Sequence, residues 1–454
     1  MKGLSLKKIT AAVEGILYNG EADDDGEIDG VVIDSRKAEK NYLFVAIKGE
    51  RADGHDFVRQ VFEKGARAVI SEKTLDTDKP YILVKSSANA LKQLAGYYRS
   101  ILDIKVVGIT GSVGKTSTKE FIASVLSQRY KVLKTAGNFN NEIGLPLTVF
   151  NIRNEHQVAV LEMGISDFGE MTRLSRIARP DICVITNIGL CHLENLGSRD
   201  GILKAKTEIF KYAKEHYHTV LNGDDDKLSA IKTENENKIL FYGMEPGNGI
   251  YADNIKLLGI EGSECDIITE KGNIPVHIKV PGKHMIYNAM AAAAVGLLLG
   301  LDTEEIRKGI ESLENVGGRL NIIKTGKITI IDDCYNANPV STKSSIDVLE
   351  YGFGRKVAIL GDMFELGENE KNLHYDVGHH IGDKNIQCAV FIGDLSKNTY
   401  EGLIESKNTK DAYYFKKTEE FLKEKDKIIK EGDTVLVKAS HSMHFEEIVN
   451  ALQN

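Results

Sequence analysis

The sequence contains no tryptophan and no pair of cysteines with the C-x-x-C spacing. It has five cysteines, an odd number that cannot form a complete set of disulfides. Such cysteines are typical of reduced thiols in a cytosolic protein. We therefore expect structural roles for Cys183, Cys191, Cys265, Cys334 and Cys388.

Long hydrophobic runs are also absent. The longest apolar stretch, 289–301, is interrupted by Gly296 and Gly300 and is shorter than the roughly 20 residues that span a bilayer. It predicts a buried helix instead. Residues 1–15 contain lysines but no apolar segment with a cleavage site, so we predict no secretory signal. These patterns favour a cytoplasmic protein with no membrane insertion.

No long basic run is present, and the net charge is −8, from 58 Lys and Arg against 66 Asp and Glu. This balance argues against nucleic acid or an anionic membrane surface as the main partner. An anionic small molecule can still bind in a local basic pocket.

What the sequence does have is length and a regular α/β rhythm. Its 454 residues suggest three domains at about 150 residues each, and the length is also compatible with two or four domains. From residue 106 onward, β-branched runs alternate with amphipathic helical patterns, which predicts a largely parallel sheet. The strands predicted in this first series lie at 106–110, 158–164, 183–188 and 219–222.

A second α/β series follows a segment with paired glycines at 314–320, which is typical of a linker. Shorter alternating segments at 243–280 predict an antiparallel addition before it, and the N-terminal hundred residues predict a compact α/β module. The fold class is therefore α/β, with predicted domains at 1–100, 101–315 and 316–454. The strands of the second series are predicted at 328–335, 356–362, 387–393 and 433–440.

The most specific local pattern is VVGITGSVGKTSTK at 106–119, a buried strand that enters a glycine-rich turn and then a helix. Backbone N–H groups in such a turn can surround phosphate oxygens. Lys115 would meet the β- and γ-phosphates, and the Thr116 hydroxyl would bind Mg²⁺. Ile109 stands where the first glycine of the usual phosphate loop belongs, so this is a variant loop; a plain turn before a helix is the alternative.

The form T-G-x-x-G-K-T resembles the Mur ligase family and the related folylpolyglutamate synthetases. The segment TAGNFNNEIGLPLT at 135–148 resembles the branch of that family that adds D-Ala-D-Ala, although asparagines also occur in ordinary turns. The resemblance covers about 30–445 in family order. It implies that ATP is bound by Thr110, Gly111, Ser112, Val113, Gly114, Lys115, Thr116 and Ser117.

Candidate metal ligands follow the predicted strands. Glu162 ends the apolar run VAVLEMG, where a carboxylate at the carboxyl edge of a parallel sheet suits Mg²⁺. NIGLCHLENLGS resembles a family motif whose histidine, here His192, helps to hold a second metal ion. AKTEIF resembles the family's carbamylated-lysine segment and places that lysine at Lys206. The resemblance thus implies Lys115, His192 and Lys206 as catalytic residues, and Thr116, Glu162, His192 and Lys206 as metal ligands.

Other motifs imply the substrate sites. PGKHMIYNAMAAAA at 281–294 resembles the family's adenine-contacting helix and assigns that role to Asn288, with Met285 in place of a usual Asn. GGRL and IIDDCYNANPVS imply that Arg319 reaches ATP phosphates and that Asp333 faces the ribose. The dipeptide side is implied to be Tyr335, Asn336 and Asn338. IDSRKAEKNYLFVAIKGERADGHDF resembles the uridine-binding domain and places Asp34, Ser35 and Arg36 near UDP.

The resemblance implies a monomeric, ATP- and Mg²⁺-dependent ligase of cell-wall synthesis. It would join D-Ala-D-Ala to UDP-MurNAc-tripeptide through an acyl phosphate. The domain at 1–100 would bind the UDP-sugar and the domain at 101–315 would bind ATP. The domain at 316–454 would close on ATP and bind the dipeptide, with a hinge at 316–318. A sister ligase that adds one amino acid, a folylpolyglutamate synthetase and a non-catalytic nucleotide-binding protein are the alternatives.

Four departures from the family pattern stand out. Val113 replaces the usual Asn of the phosphate loop, Ser117 replaces a common Thr, and Thr342 replaces a common Met. KASH at 438–441 stands where the family has K-G-S-R. His441 cannot supply the permanent, bidentate guanidinium of an arginine, so we expect this loop to contribute differently.

Overall fold

The computed structural model describes residues 1–21, 25–50, 52–232, 239–313, 319–406 and 411–453. The hinge expected at 316–318 lies outside these residues. The chain divides into two compact units. The first comprises Met1–Thr110, Tyr130–Val184 and Lys206–Thr219, and the second comprises Gly111–Arg129, Ile185–Ala205 and Val220–Asn454.

Strands and helices alternate along most of the chain, as the sequence predicts. The described strands are β1 (Ile16–Tyr18), β2 (Gly30–Val32), β3 (Tyr42–Val45), β4 (Ala68–Ser71), β5 (Tyr81–Leu83), β6 (Lys105–Thr110), β7 (Val132–Lys134), β8 (Val158–Glu162), β9 (Ile182–Ile185), β10 (His218–Asn222), β11 (Ile239–Gly243), β12 (Ile250–Leu257), β13 (Ser263–Thr269), β14 (Gly272–Ile278), β15 (Asn321–Lys324), β16 (Thr329–Asp332), β17 (Lys356–Gly361), β18 (Cys388–Ile392), β19 (Asp411–Phe415) and β20 (Thr434–Lys438).

The described α-helices are α1 (Leu6–Ala12), α2 (Val58–Glu63), α3 (Ser87–Ser100), α4 (Lys115–Leu126), α5 (Gly144–Val149), α6 (Glu170–Ala178), α7 (Leu193–Leu196), α8 (Arg199–Thr207), α9 (His284–Leu298), α10 (Thr303–Glu311), α11 (Pro339–Glu350), α12 (Glu370–Gly382), α13 (Ser396–Glu405), α14 (Thr418–Ile428) and α15 (Glu446–Gln453). Helix α9 confirms the buried helix expected around 289–301. None of the helices in the described ranges is long and apolar enough to cross a membrane.

The N-terminal part of the first unit has a five-stranded sheet in the order β1-β5-β4-β3-β2. Strands β2 to β5 are parallel, and β1 is antiparallel at the edge. The expected α/β module is therefore present. Strands β1, β4 and β5 are only three or four residues long, and such short runs carry too little periodicity to be predicted from sequence.

A nine-stranded sheet has the order β14-β13-β12-β11-β10-β9-β6-β8-β7. In the first unit, β6 and β7 pair in parallel with β8. In the second unit, β12, β13 and β14 pair antiparallel, which confirms the antiparallel addition expected at 243–280. Strand β9 ends at Ile185, earlier than the expected 188, because the backbone beyond it bonds to the phosphate-loop segment rather than to a strand.

The second unit also contains a six-stranded sheet in the order β15-β16-β20-β17-β18-β19. All its strands are parallel except β15. Strands β18 and β20 are buried at every position, as expected for apolar runs covered by helices on both faces. The carboxyl ends of β16 and β20 lie side by side, since Asp332 pairs with Val437.

Candidate active site

The phosphate loop lies between β6 and α4, at the junction that the sequence predicts. Thr110 ends β6 in the first unit, and the second unit begins at Gly111. Gly114 caps α4 with φ +82°, a conformation that favours glycine. No side chain in the described part of the chain caps this helix. N–H groups at such a helix start can bind phosphate oxygens.

The rim of the loop is fixed by the segment that follows β9. The side-chain oxygen of Asn187 accepts hydrogen bonds from the N–H groups of Ser112 (3.1 Å) and Val113 (2.9 Å). The Thr186 hydroxyl donates to the carbonyl of Val113 at 2.6 Å, and a Cβ at Gly111 would collide with that hydroxyl. Val113 uses its backbone in these bonds, so they do not need the asparagine side chain usual at that position.

The ammonium of Lys115 donates to the carbonyl oxygen of Gly111 at 2.9 Å. This bond turns the lysine back over its own loop, beside the start of α4. A lysine in this place supplies a positive charge where phosphate oxygens would lie.

A cavity of about 320 Å³ lies in the second unit beside this loop. Its volume is in the range of small-molecule sites. The structure brings together in its lining many of the residues expected to bind ATP or dipeptide: Ser112, Val113, Gly114, Lys115, Ser117, Asn288, Arg319, Asp333, Asn336 and Asn338.

The cavity wall on α9 is formed by Asn288 and its neighbours. The side-chain oxygen of Asn288 accepts a 2.9 Å hydrogen bond from the Thr118 hydroxyl, and its nitrogen donates to the sulfur of Met285 at 3.3 Å. Thioether sulfur is a weak acceptor, so Met285 satisfies this amide only weakly. The amide of Asn288 is thus tied to the helix that begins with Lys115.

The carboxylate of Asp333 is held by three donors. Its Oδ1 accepts from the N–H of Leu320 at 3.2 Å, and its Oδ2 accepts from the Ser345 hydroxyl and the Lys438 ammonium, both at 2.5 Å. All four residues line the cavity. The sequence did not predict that Lys438 and Ser345 contact Asp333. Lys438 belongs to the KASH motif, which could have indicated it, whereas no motif indicates Ser345.

The ring of Tyr335 contacts both a cation and an imidazole. The guanidinium carbon of Arg319 is 4.4 Å from the ring centroid, and the ring of His441 packs on Tyr335 with 5.5 Å between centroids. His441 Nδ1 is 3.7 Å from the carboxylate of Glu446. At the position where the family pattern has an arginine, this chain therefore has His441, which makes an aromatic contact with Tyr335, a residue expected on the dipeptide side.

Two of the expected metal ligands lie in the first unit. Glu162 is the last residue of β8 and is 2% exposed, and its Oε1 accepts a 2.8 Å hydrogen bond from Asn140. Lys206 lies on α8 and is 1% exposed. The side chain of Asn141 instead accepts the N–H groups of Ile143 and Gly144. The Asn-rich segment thus contains both turn chemistry and a contact to the candidate ligand Glu162.

The other two, Thr116 and His192, lie in the second unit. His192 has a left-handed backbone (φ +55°), and its Nδ1 is 3.1 Å from the carboxylate of Glu365. The hydrogen bond from His192 holds the pKa of the Glu365 carboxyl below its usual range.

The described residues contain no cluster of three His, Cys, Asp or Glu side chains that could hold a metal ion. Mg²⁺ in nucleotide sites is usually held by one or two protein oxygens together with waters and phosphates. The carboxylate of Glu162 and the hydroxyl of Thr116 are oxygen donors of this kind, so the donor chemistry fits Mg²⁺.

The residues expected near UDP form a short capped turn in the first unit. Asp34 caps the 3₁₀ turn Ser35–Lys37 by accepting the N–H of Arg36 at 3.0 Å. Its carboxylate also pairs with the Arg36 guanidinium at 2.7 Å. This hydrogen bonding lowers the pKa of Asp34 to about 2. The Arg36 side chain is 85% exposed, so the ion pair contributes little to stability.

Comparisons with known proteins agree with this fold. Residues 27–99 match the model described as Mur ligase family, catalytic domain; 109–296 match the Mur ligase middle domain; and 318–441 match the Mur ligase, glutamate ligase domain. The chain belongs to the Mur ligase family, and its fold is that of three α/β domains with mostly parallel sheets.

Several relatives in that family carry the same name. The UDP-N-acetylmuramoyl-tripeptide–D-alanyl-D-alanine ligase of Bacillus subtilis is 39% identical, covering 99% of this chain and 98% of the relative. The crystal structure of MurF from Acinetobacter baumannii superposes with a TM-score of 0.91 at 33% identity, over 99% of this chain and 98% of that one. The crystal structure of MurF from Thermotoga maritima in complex with ADP superposes with a TM-score of 0.82 at 32% identity, over 93% of this chain and 97% of that one.

Proposed function

We propose that this chain joins D-alanyl-D-alanine to UDP-N-acetylmuramoyl-tripeptide in the cytoplasm, as a monomer, and converts ATP to ADP and phosphate. The observation that carries the proposal is that the phosphate loop, Asn288, Arg319 and Asp333 line the same cavity. The near full-length similarity to a UDP-N-acetylmuramoyl-tripeptide–D-alanyl-D-alanine ligase supports the choice of dipeptide over a single amino acid.

A carboxylate does not condense with an amine unaided, so the reaction has two steps. A carboxylate oxygen of the tripeptide attacks the γ-phosphorus of ATP, and ADP leaves. The dipeptide amine then attacks the acyl carbon, loses a proton, and displaces inorganic phosphate. Negative charge builds up on the transferred phosphoryl group in the first step, so fixed positive groups around it lower the barrier.

The residues of this chain have distinct tasks in that scheme. The N–H groups at the start of α4 and the Lys115 ammonium would bind the phosphates, for which Lys115 exchanges its bond to Gly111. Arg319 would approach the phosphates, Asn288 the adenine and Asp333 the ribose. Holding reactants in place supplies most of the rate enhancement in such reactions.

Mg²⁺ would be held by Thr116 and Glu162, with His192 and a carbamylated Lys206 at a second cation, and it would neutralise phosphate charge. The remaining assignments also belong to this proposal. Asp34, Ser35 and Arg36 would contact UDP, and Tyr335, Asn336 and Asn338 the dipeptide. The proposed domain limits are 1–100, 101–315 and 316–454, with closure about 316–318.

The test is phosphate release from ATP and Mg²⁺ with UDP-MurNAc-tripeptide, measured with and without D-Ala-D-Ala, and the mass of the product. We expect phosphate release to require both the tripeptide and D-Ala-D-Ala. We expect the product to be heavier than the tripeptide substrate by two alanine residues. Turnover with glutamate or another single amino acid would assign the chain to a sister ligase. Nucleotide binding without turnover on any amine would leave a non-catalytic protein.

A further inference from the structure

The buried ammonium of Lys438 contacts two binding elements at once. Lys438 is the last residue of β20 and is 2% exposed. A buried charge is strongly unfavourable unless it is paired and hydrogen-bonded. Its nitrogen lies 2.5 Å from Oδ2 of Asp333, 3.0 Å from the carbonyl oxygen of Asn336 and 3.5 Å from the carbonyl oxygen of Asp333. An ammonium has three hydrogens, so these contacts match its donor capacity.

The fold explains why the two residues meet across 105 positions of sequence. Strands β16 and β20 are parallel neighbours, and the N–H of Asp333 donates to the carbonyl of Val437 at 3.0 Å. Asp333 and Lys438 therefore leave the same edge of the sheet together. Both side chains then line the cavity.

We propose that Lys438 is a positioning residue that orients Asp333 for the nucleotide and anchors the Asn336 carbonyl in the loop that faces the dipeptide. The proposal rests on the proposed function. One ammonium thereby sets the geometry of two substrate sites.

Ser345 provides an internal comparison. Its hydroxyl contacts the same Oδ2 of Asp333 at 2.5 Å, and otherwise the carbonyl of Ser341 on its own helix at 2.8 Å. Ser345 therefore shares the carboxylate with Lys438 but not the Asn336 carbonyl. Loss of the hydroxyl should disturb the nucleotide side alone.

The experiment is a set of steady-state KM measurements for ATP, D-Ala-D-Ala and UDP-MurNAc-tripeptide in the full-length enzyme. Loss of one partner of a buried, hydrogen-bonded charge pair has large effects on affinity. For Lys438→Met we expect KM to rise about tenfold or more for both ATP and D-Ala-D-Ala, and less than about twofold for the tripeptide. For Ser345→Ala we expect a rise for ATP only.

The matched control is Lys384→Met, which also removes an ion-paired lysine of the second unit. Lys384 contacts Asp347 and Glu350 at 2.8 and 3.3 Å and does not line this cavity. All three KM values should stay within about twofold of wild type. A Lys438→Met enzyme with a lower kcat and unchanged KM values, or with only one KM raised, would overturn the proposal.

Folding and function are separated by two further measurements. If Lys438→Met does not fold, Lys438→Gln removes the charge but keeps an amide donor at this position and leaves Asp333 in place, and calorimetric ADP titration reads the nucleotide side without turnover. Unweakened ADP binding in that folded variant overturns the proposal. If the wild-type enzyme uses a single amino acid instead of the dipeptide, the proposed function fails. The role of Lys438 is then still supported if Lys438→Met raises the KM for both ATP and that amino acid. It is refuted if those two KM values do not rise.

Discussion

The side-chain oxygen of Asn187 accepts the N–H of Val113 at 2.9 Å, so the second residue after β9 fixes the rim of the phosphate loop. Asn187→Ala leaves this N–H and that of Ser112 without the amide oxygen they share. Loss of a buried acceptor costs about 1–3 kcal/mol, and the bonds of Asn187, which are partly buried, fall at the lower end of that range. We expect ADP affinity to fall about tenfold by calorimetry.

The control for that substitution is Asn398→Ala. The side chain of Asn187 also donates to the carbonyl of Val113 at 3.3 Å. Asn398 likewise donates to a backbone carbonyl, that of Leu395, but it lies outside the cavity lining. ADP affinity should be unchanged in this control. Wild-type affinity in Asn187→Ala would show that the loop rim does not depend on Asn187.

Lys206 and Lys204 on α8 differ in burial and offer a matched pair. Lys206 is 1% exposed, whereas Lys204 is exposed. Loss of a metal-site ligand or its support costs about 10- to 100-fold or more in activity. We expect Lys206→Ala to lose activity by about that factor, with partial recovery in added formate or acetate, and Lys204→Ala to keep it. Full activity in Lys206→Ala removes this lysine from the mechanism.

The contacts of Tyr335 with Arg319 and His441 test the dipeptide side. Tyr335→Phe keeps a ring that can contact the guanidinium and the imidazole, whereas Tyr335→Leu removes it. Cation–π contacts contribute about 0.5–2 kcal/mol. We expect the KM for D-Ala-D-Ala to rise about three- to tenfold in the Leu variant and to stay near wild type in the Phe variant. Equal KM values in the two variants would place the dipeptide elsewhere.

The buried imidazole of His374 predicts a pH dependence of stability. Its Nε2 accepts the N–H of Met363 at 2.9 Å, and its Nδ1 lies 2.7 Å from the carbonyl of Glu370. Burial lowers the pKa of His374 below its ordinary value of 6.5. The folded state therefore binds this proton less readily than the unfolded state, and stability is lost as pH falls through 6.5.

The comparison is between wild type and His374→Gln, whose amide oxygen can still accept the N–H of Met363. Denaturant unfolding from about pH 7.5 to about pH 5 should show the difference in unfolding free energy between the two shrink as pH falls. A difference that does not change with pH contradicts the assignment. Comparing the two proteins also cancels the contribution of His284, whose pKa burial lowers as well.

Much of the cavity lining could be predicted from the sequence because several lining residues directly follow predicted strands. Ser112, Lys115 and Asp333 each come after a β-branched run, and ligands of open α/β folds bind beyond the carboxyl ends of strands. The family motifs then related these positions to Asn288 and Arg319. The lining of one cavity by these residues agrees with that expectation.

What the sequence could not give is pairing between distant side chains. The bond between Lys438 and Asp333 depends on β20 lying beside β16, which no local pattern encodes. Asn140 and Asn141 are adjacent and chemically identical, yet one contacts Glu162 and the other closes a turn. Only the path of the backbone separates these two roles.

The contacts of Lys438 also bear on how the enzyme could be inhibited. A small anionic compound that drew this ammonium away from Asp333 and Asn336 would loosen both substrate sites together. Its inhibition would be relieved by high ATP and by high dipeptide. Double competition of this kind is usually read as the mark of a bisubstrate analogue, and here a molecule much smaller than either substrate would produce it.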